Sequence, residues 1–178
     1  MNTTKRRDIP RFNTPIVETH CHLDYLETDA LTSVLDAAFD AGVERIVTIS
    51  VSADNLNTVR EIADSHEAIW CTQGIHPHEA ETWTPELGAR VELGSEHARV
   101  VAIGEIGLDY YYDHADRNAQ LEAFDAQLDL AARLNLPVVI HTREADDDTR
   151  NVLTNHSGSL TRKGVIHSFT SSSSLAEY

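Results

Sequence analysis

Lysine is almost missing from this chain. Lys5 and Lys163 are the only two, and the remaining basic residues are arginines. Together they number 14 against 29 Asp and Glu, a formal net charge of −15. That balance excludes a broad basic face for wrapping duplex nucleic acid. A phosphate substrate has to be held by a local site or by metal ions. An acidic, lysine-poor surface stays soluble where salt screens its self-repulsion, so a salt-rich cytoplasm is the expected setting. Cysteine is also scarce. Cys21 and Cys71 lie far apart and outside any C-x-x-C, which favours packed thiols over a disulfide. No run of about 18 apolar residues exists to span a membrane. Residues 1–15 lack the apolar stretch of a secretory signal and read as a disordered tail, leaving residues 16–178 as one domain. There is no G-x-G-x-x-G for a dinucleotide and no G-x-S-x-G for an activated serine.

What is present is an alternation of two textures. Ile16-Val17 opens a first strand. Leu31, Val34, Leu35 and Ala38 recur at helical spacing within 28–41, and Gly42 is a stop. VERIVTISV over 43–51 is β-branched and reads as a strand. A helix follows over 54–66, then a short strand at 68–71. Another helix is expected after Pro85, and a buried strand at 100–103. The clearest helix is 116–134, followed by a strand at 137–140, a helix at 146–155 and a strand at 164–166. Residues 171–178 read as a loop opening into a helix. Near-continuously apolar strands separated by helices imply an α/β fold with a parallel sheet covered by helices. A doubly wound sheet and a (β/α)8 barrel both fit.

The polar residues gather where these strands end. His20 and His22 close the first strand, two residues apart and so on one face if it stays extended. His76 and His78 follow the third, Glu105 the fourth, His141 the fifth and His167 the sixth. Parallel strands bring their carboxyl ends to one rim, where imidazole and carboxylate side chains suit a divalent ion. Glu105 lies in an apolar context, and a buried carboxylate needs a cation or strong hydrogen bonds. Arg143, two residues past His141, either faces a phosphate on the rim or pairs with Glu144 or Asp146. Tyr110, Tyr111 and Tyr112 either stack on a base or sugar or pack the loop. Asp24 either orients a ligand histidine or begins the next turn.

Five segments, ETHCHLD at 18–24, GIHPH at 74–78, GEIGLDY at 104–110, HTREA at 141–145 and VIHSF at 165–169, come in an order that closely resembles the TatD-type metal-dependent deoxyribonucleases. The resemblance implies a TIM-barrel hydrolase that uses one or two divalent ions (Mg, Mn or Zn) to cleave DNA phosphodiester bonds. Single-stranded ends are the implied substrate and the cytoplasm the implied location. It implies His20, His22, Glu105, His141 and His167 as metal ligands, with Glu105 bridging and taking part in catalysis. His76, His78 and Arg143 would lie near the substrate phosphate. An amide or ester hydrolase of the same superfamily is the rival reading. Family members carry a further E-T-D-type aspartate beyond the sixth strand, which this sequence does not reach. The chain therefore reads as about the first six β/α units of the barrel. That leaves two further expectations: an inactive or split fragment, or completion of the barrel by a second chain. Unpaired edges on the first and sixth strands predict low stability for the chain alone.

Overall fold

The computed structural model describes residues 10–178. Most of the expected tail, residues 1–9, lies outside them. Within the rest, the Phe12 backbone N–H donates to the Ala41 carbonyl at 3.1 Å.

Six strands form one sheet in chain order, and every pairing is parallel. They are β1 (Ile16–Cys21), β2 (Val43–Thr48), β3 (Ile69–Gln73), β4 (Val100–Asp109), β5 (Val138–Arg143) and β6 (Val165–Ile166). Helices α1 (Thr28–Ala41), α2 (Leu56–Ser65), α3 (Pro85–Ser95), α4 (Arg117–Leu134) and α5 (Asp146–His156) alternate with them, and a short α6 (Ser173–Ala176) closes the order. Neighbouring strands are thus always consecutive, as in a sheet that winds toward a barrel and unlike a doubly wound sheet, whose order reverses. The sheet curls far. The rings of His20 on β1 and His167 just past β6 stack with centroids 3.3 Å apart, although these strands are its two edges.

The elements start and stop for local reasons. Thr84 caps α3 by accepting the Leu87 N–H, and Pro85 takes the first turn, where no N–H is needed. Asp116 caps α4 through the N–H groups of Asn118 and Ala119. Gly42 ends α1 in the left-handed conformation at φ 105°. Buried apolar side chains then weld helices to sheet. Phe124, Leu128 and Ala131 of α4 pack with Ile103, Ile106 and Leu108 of β4 in the larger cluster. Leu35, Val59 and Ala63 pack with Ile46 and Ile69 in a second.

Two differences from the expected elements bear on the site. β4 runs to Asp109 rather than stopping at Ile103. β1 stops at Cys21, and His22 turns out of the strand into a 3-10 turn over Leu23–Tyr25. Both cysteines are free, and burial pushes each thiol up to about 12. Among the described residues, no helix is long and apolar enough to cross a membrane.

Candidate metal centre

The carboxyl ends of the strands are fastened by buried polar side chains. Ser50, beyond β2, donates through Oγ to the Gly74 carbonyl at 2.6 Å and accepts the Gly74 N–H at 3.0 Å. Its own carbonyl accepts the Glu105 N–H at 2.9 Å. Two glutamines of α4, seven residues apart and so on one helix face, reach back to the sheet. Gln127 brackets Ile75, accepting its N–H at 2.8 Å and donating to its carbonyl at 3.1 Å. Gln120 does the same for Asp109, at 2.8 and 3.1 Å. Gly107 lets β4 and β5 approach. Its φ is 135°, and a Cβ there would run into the His141 carbonyl.

Glu105 is the centre of the rim, 4% exposed. Its Oε2 lies 3.3 Å from His20 Nε2, and its Oε1 lies 3.2 Å from His141 Nδ1 and 3.9 Å from His76 Nε2. Two three-residue groups share it: His20, Glu105 and His167, and His76, Glu105 and His141, with ligand-type atoms within 4.8 Å of one another in each. Burial pushes the Glu105 carboxyl up, but its contacts with His141 and His20 outweigh burial and hold it below the usual carboxylate range.

Behind this layer stands Asp109, fully buried. Its Oδ2 meets His78 Nε2 at 3.0 Å and His141 Nε2 at 2.9 Å. Its Oδ1 accepts the backbone N–H groups of Tyr111 and Tyr112. Burial raises its carboxyl, and these donors bring it below its ordinary value. His141, clamped between two carboxylates, is held above the usual histidine range despite burial. Burial drives His76 down to about 3, so its ring is neutral. His76 Nδ1 accepts the His78 backbone N–H at 3.2 Å, which places the single ring proton on Nε2, facing Glu105.

The donor set fits a divalent ion. Imidazoles and one buried carboxylate are borderline-hard ligands of the kind such ions take. Nδ1 of His20 and Nδ1 of His22 are buried without a hydrogen-bond partner, and Nε2 of His20 has only its 3.3 Å contact with Glu105. Buried polar atoms without partners are costly, and a cation would satisfy one ring nitrogen of His20.

Of the eight residues expected here, the structure joins His20, Glu105, His141 and His167 in the two groups, and adds His76 to the second. His22 stands outside both. Having left the strand, it meets His20 edge-on at 5.3 Å and stacks on Tyr25. With His78 it lines a cleft of about 330 Å³ beside Glu105. Arg143 forms no ion pair among the described residues; its guanidinium covers Tyr111 and Tyr112. Asp109 was not among the expected site residues. Its signal was its place at the end of an apolar strand, five residues beyond Gly104.

The sequence matches the family described as TatD related DNase over residues 17–178. The chain belongs to that family. It is 35% identical over 162 residues to YabD of Bacillus subtilis, an uncharacterized metal-dependent hydrolase, covering 90% of this chain and 63% of that one. It is 37% identical over 138 residues to the 3'-5' ssDNA/RNA exonuclease TatD of Erwinia tasmaniensis, covering 77% and 53%. The crystal structure of the TatD homologue YjjV from Escherichia coli superposes with a TM-score of 0.84 at 34% identity, over 90% of this chain and 62% of that one. The chain thus spans less than two thirds of the length of these relatives.

Proposed function

We propose that this chain carries the metal-binding rim of a divalent-metal-dependent hydrolase that cleaves phosphodiester bonds at single-stranded DNA ends. The observation that carries this reading is the convergence of four strand-end histidines on buried Glu105, with Nδ1 of buried His20 left without a hydrogen-bond partner. Glu105 would be the shared ligand, with His20 and His167 on one side of it and His141 on the other. A divalent ion held there would supply Lewis acidity toward a phosphate oxygen and lower the pKa of water.

The protein's own groups do the rest. Asp109 takes the Nε2 side of His141, which frees Nδ1 to face Glu105 and fixes the ring. His76 keeps its proton on Nε2 and offers it to an oxygen of the substrate, a role for which its neutral form is suited. His22 and His78 line the cleft that receives the phosphate. Arg143 lies beyond them as the local cation that an otherwise acidic molecule provides. The name of the Erwinia relative supports nucleic acid as the substrate class. The acid excess suits a salt-rich cytoplasm, and the outer edges of β1 and β6, unpaired among the described residues, offer a place for a second chain to complete the cylinder.

The test is hydrolysis of a labelled single-stranded oligonucleotide, with Mg, Mn or Zn supplied and then removed by chelator, beside an acyl ester. Oligonucleotide cleavage should require metal, and Glu105→Gln should lower it at least about a hundredfold. Cleavage indifferent to chelator or to Glu105→Gln would refute the metal role. Turnover of the ester alone would move the substrate class to acyl compounds.

A further inference from the structure

Three tyrosines follow β4, and only one has an evident structural task. Tyr110 donates its hydroxyl to Asp148 at 2.7 Å, and Arg117 lies over its ring. Tyr111 and Tyr112 remain 53% and 48% exposed. They are nonetheless held in place. Their backbone N–H groups donate to Asp109 Oδ1 at 3.0 and 2.9 Å, and their rings meet edge to face at 4.8 Å. The Arg143 guanidinium sits 4.6 Å from one ring centroid and 4.9 Å from the other. The exposed His114 ring lies parallel to Tyr112 at 5.9 Å.

This surface adjoins the rim. His78 touches both Tyr112 and His114 edge-on, at 5.6 and 4.6 Å, and its Nε2 is bound by the same Asp109. One carboxylate thus sets the tyrosine turn with one oxygen and His78 and His141 with the other. A change in one arrangement is felt by the other.

Ordered aromatic rings facing water beside a candidate catalytic rim point to a ligand with flat apolar faces. The charge balance narrows the choice. With a net charge of −15, the molecule gains little from a phosphodiester backbone beyond the rim itself. Affinity for a nucleic acid strand then has to come from the bases. Every base offers a π-face, and tyrosine rings and the guanidinium plane stack on it without regard to sequence. We infer that Tyr111, Tyr112, His114 and Arg143 form a stacking surface for a nucleobase next to the rim around Glu105. The inference rests on the phosphodiesterase reading above and names the part of the substrate that the chain grips.

The test compares two single-stranded oligonucleotides, one complete and one with abasic sugars at its last two positions, with the metal-loaded full chain. The complete strand should show a kcat/KM about tenfold higher, mainly through KM, from one stacked base. Tyr111→Leu and Tyr112→Leu keep apolar bulk without a π-face and should bring the ratio toward one. Tyr112→Phe should preserve it. The ratio is internal to each variant, so a general loss of activity cancels. A second measurement needs no turnover: the chelator-treated chain should quench a terminal 2-aminopurine, and the leucine variants should not. Cleavage of both strands at equal rates, or a ratio unmoved by the leucine variants, would overturn the stacking surface and leave the phosphodiesterase reading standing. Failure of the metal-loaded chain to cleave either strand would overturn the phosphodiesterase reading, and absence of quenching beside it would overturn the stacking surface as well.

Discussion

His76 and His141 stand against the same carboxylate with opposite proton preferences. Burial takes His76 from 6.5 down to about 3. Between those values the unfolded chain binds a proton that the folded chain refuses, so His76 destabilises the fold as pH drops below 6.5. For His141, burial is outweighed by Glu105 and Asp109, and its pKa rises above 6.5. Its contribution is fully present below 6.5 and is lost as pH climbs through the folded value. In metal-free protein, the contribution of this pair to stability should therefore peak near pH 6.5. Thermal melts of chelated protein between about pH 4 and pH 7 check the acid side. His76→Asn should flatten the decline in Tm below pH 6.5. Parallel profiles for the variant and the parent would refute the assignment.

At the scale of elements, the β4–β5 seam governs the site, because Glu105 and Asp109 come from one strand and His141 from its neighbour. Gly107 sits between the two carboxylates and pairs with His141 in the register. A Gly107→Ala side chain would meet the His141 carbonyl at a φ that L-residues avoid. The expected cost is about 2–4 kcal/mol in urea unfolding, with weakened metal binding as the seam widens. Unchanged unfolding would mean that the seam tolerates the extra carbon. Such seams explain what the sequence could and could not convey. The strand and helix alternation was legible because burial writes itself in apolar period, and so was the gathering of His20, Glu105, His141 and His167. Asp109 was easily passed over because Gly104 and Glu105 interrupt the apolar pattern that β4 resumes before reaching it. Gln120 and Gln127 were hidden because a buried glutamine reads as polar surface until its backbone partners are known. The exit of His22 from β1 depends on a local turn that strand alternation cannot reveal.

For the molecule as a whole, 29 acidic residues against 14 basic ones leave a large self-repulsion. Raising KCl from about 0.1 to about 2 M should screen it and lift Tm by about 5 °C or more. A Tm that fell with salt would show that specific ion pairs outweigh the net charge. The stacked rings of His20 and His167 have a consequence of another kind. They come from the sheet's first strand and from just past its last, roughly 150 residues apart along the chain. An ion gripping both would tie most of the polypeptide into a single covalent-like ring. Much of its stabilisation would come from the freedom denied to the unfolded chain, as with a disulfide over a long loop. The same ion would then serve as reagent and as knot, and a starved molecule would first come apart where β6 meets the rim.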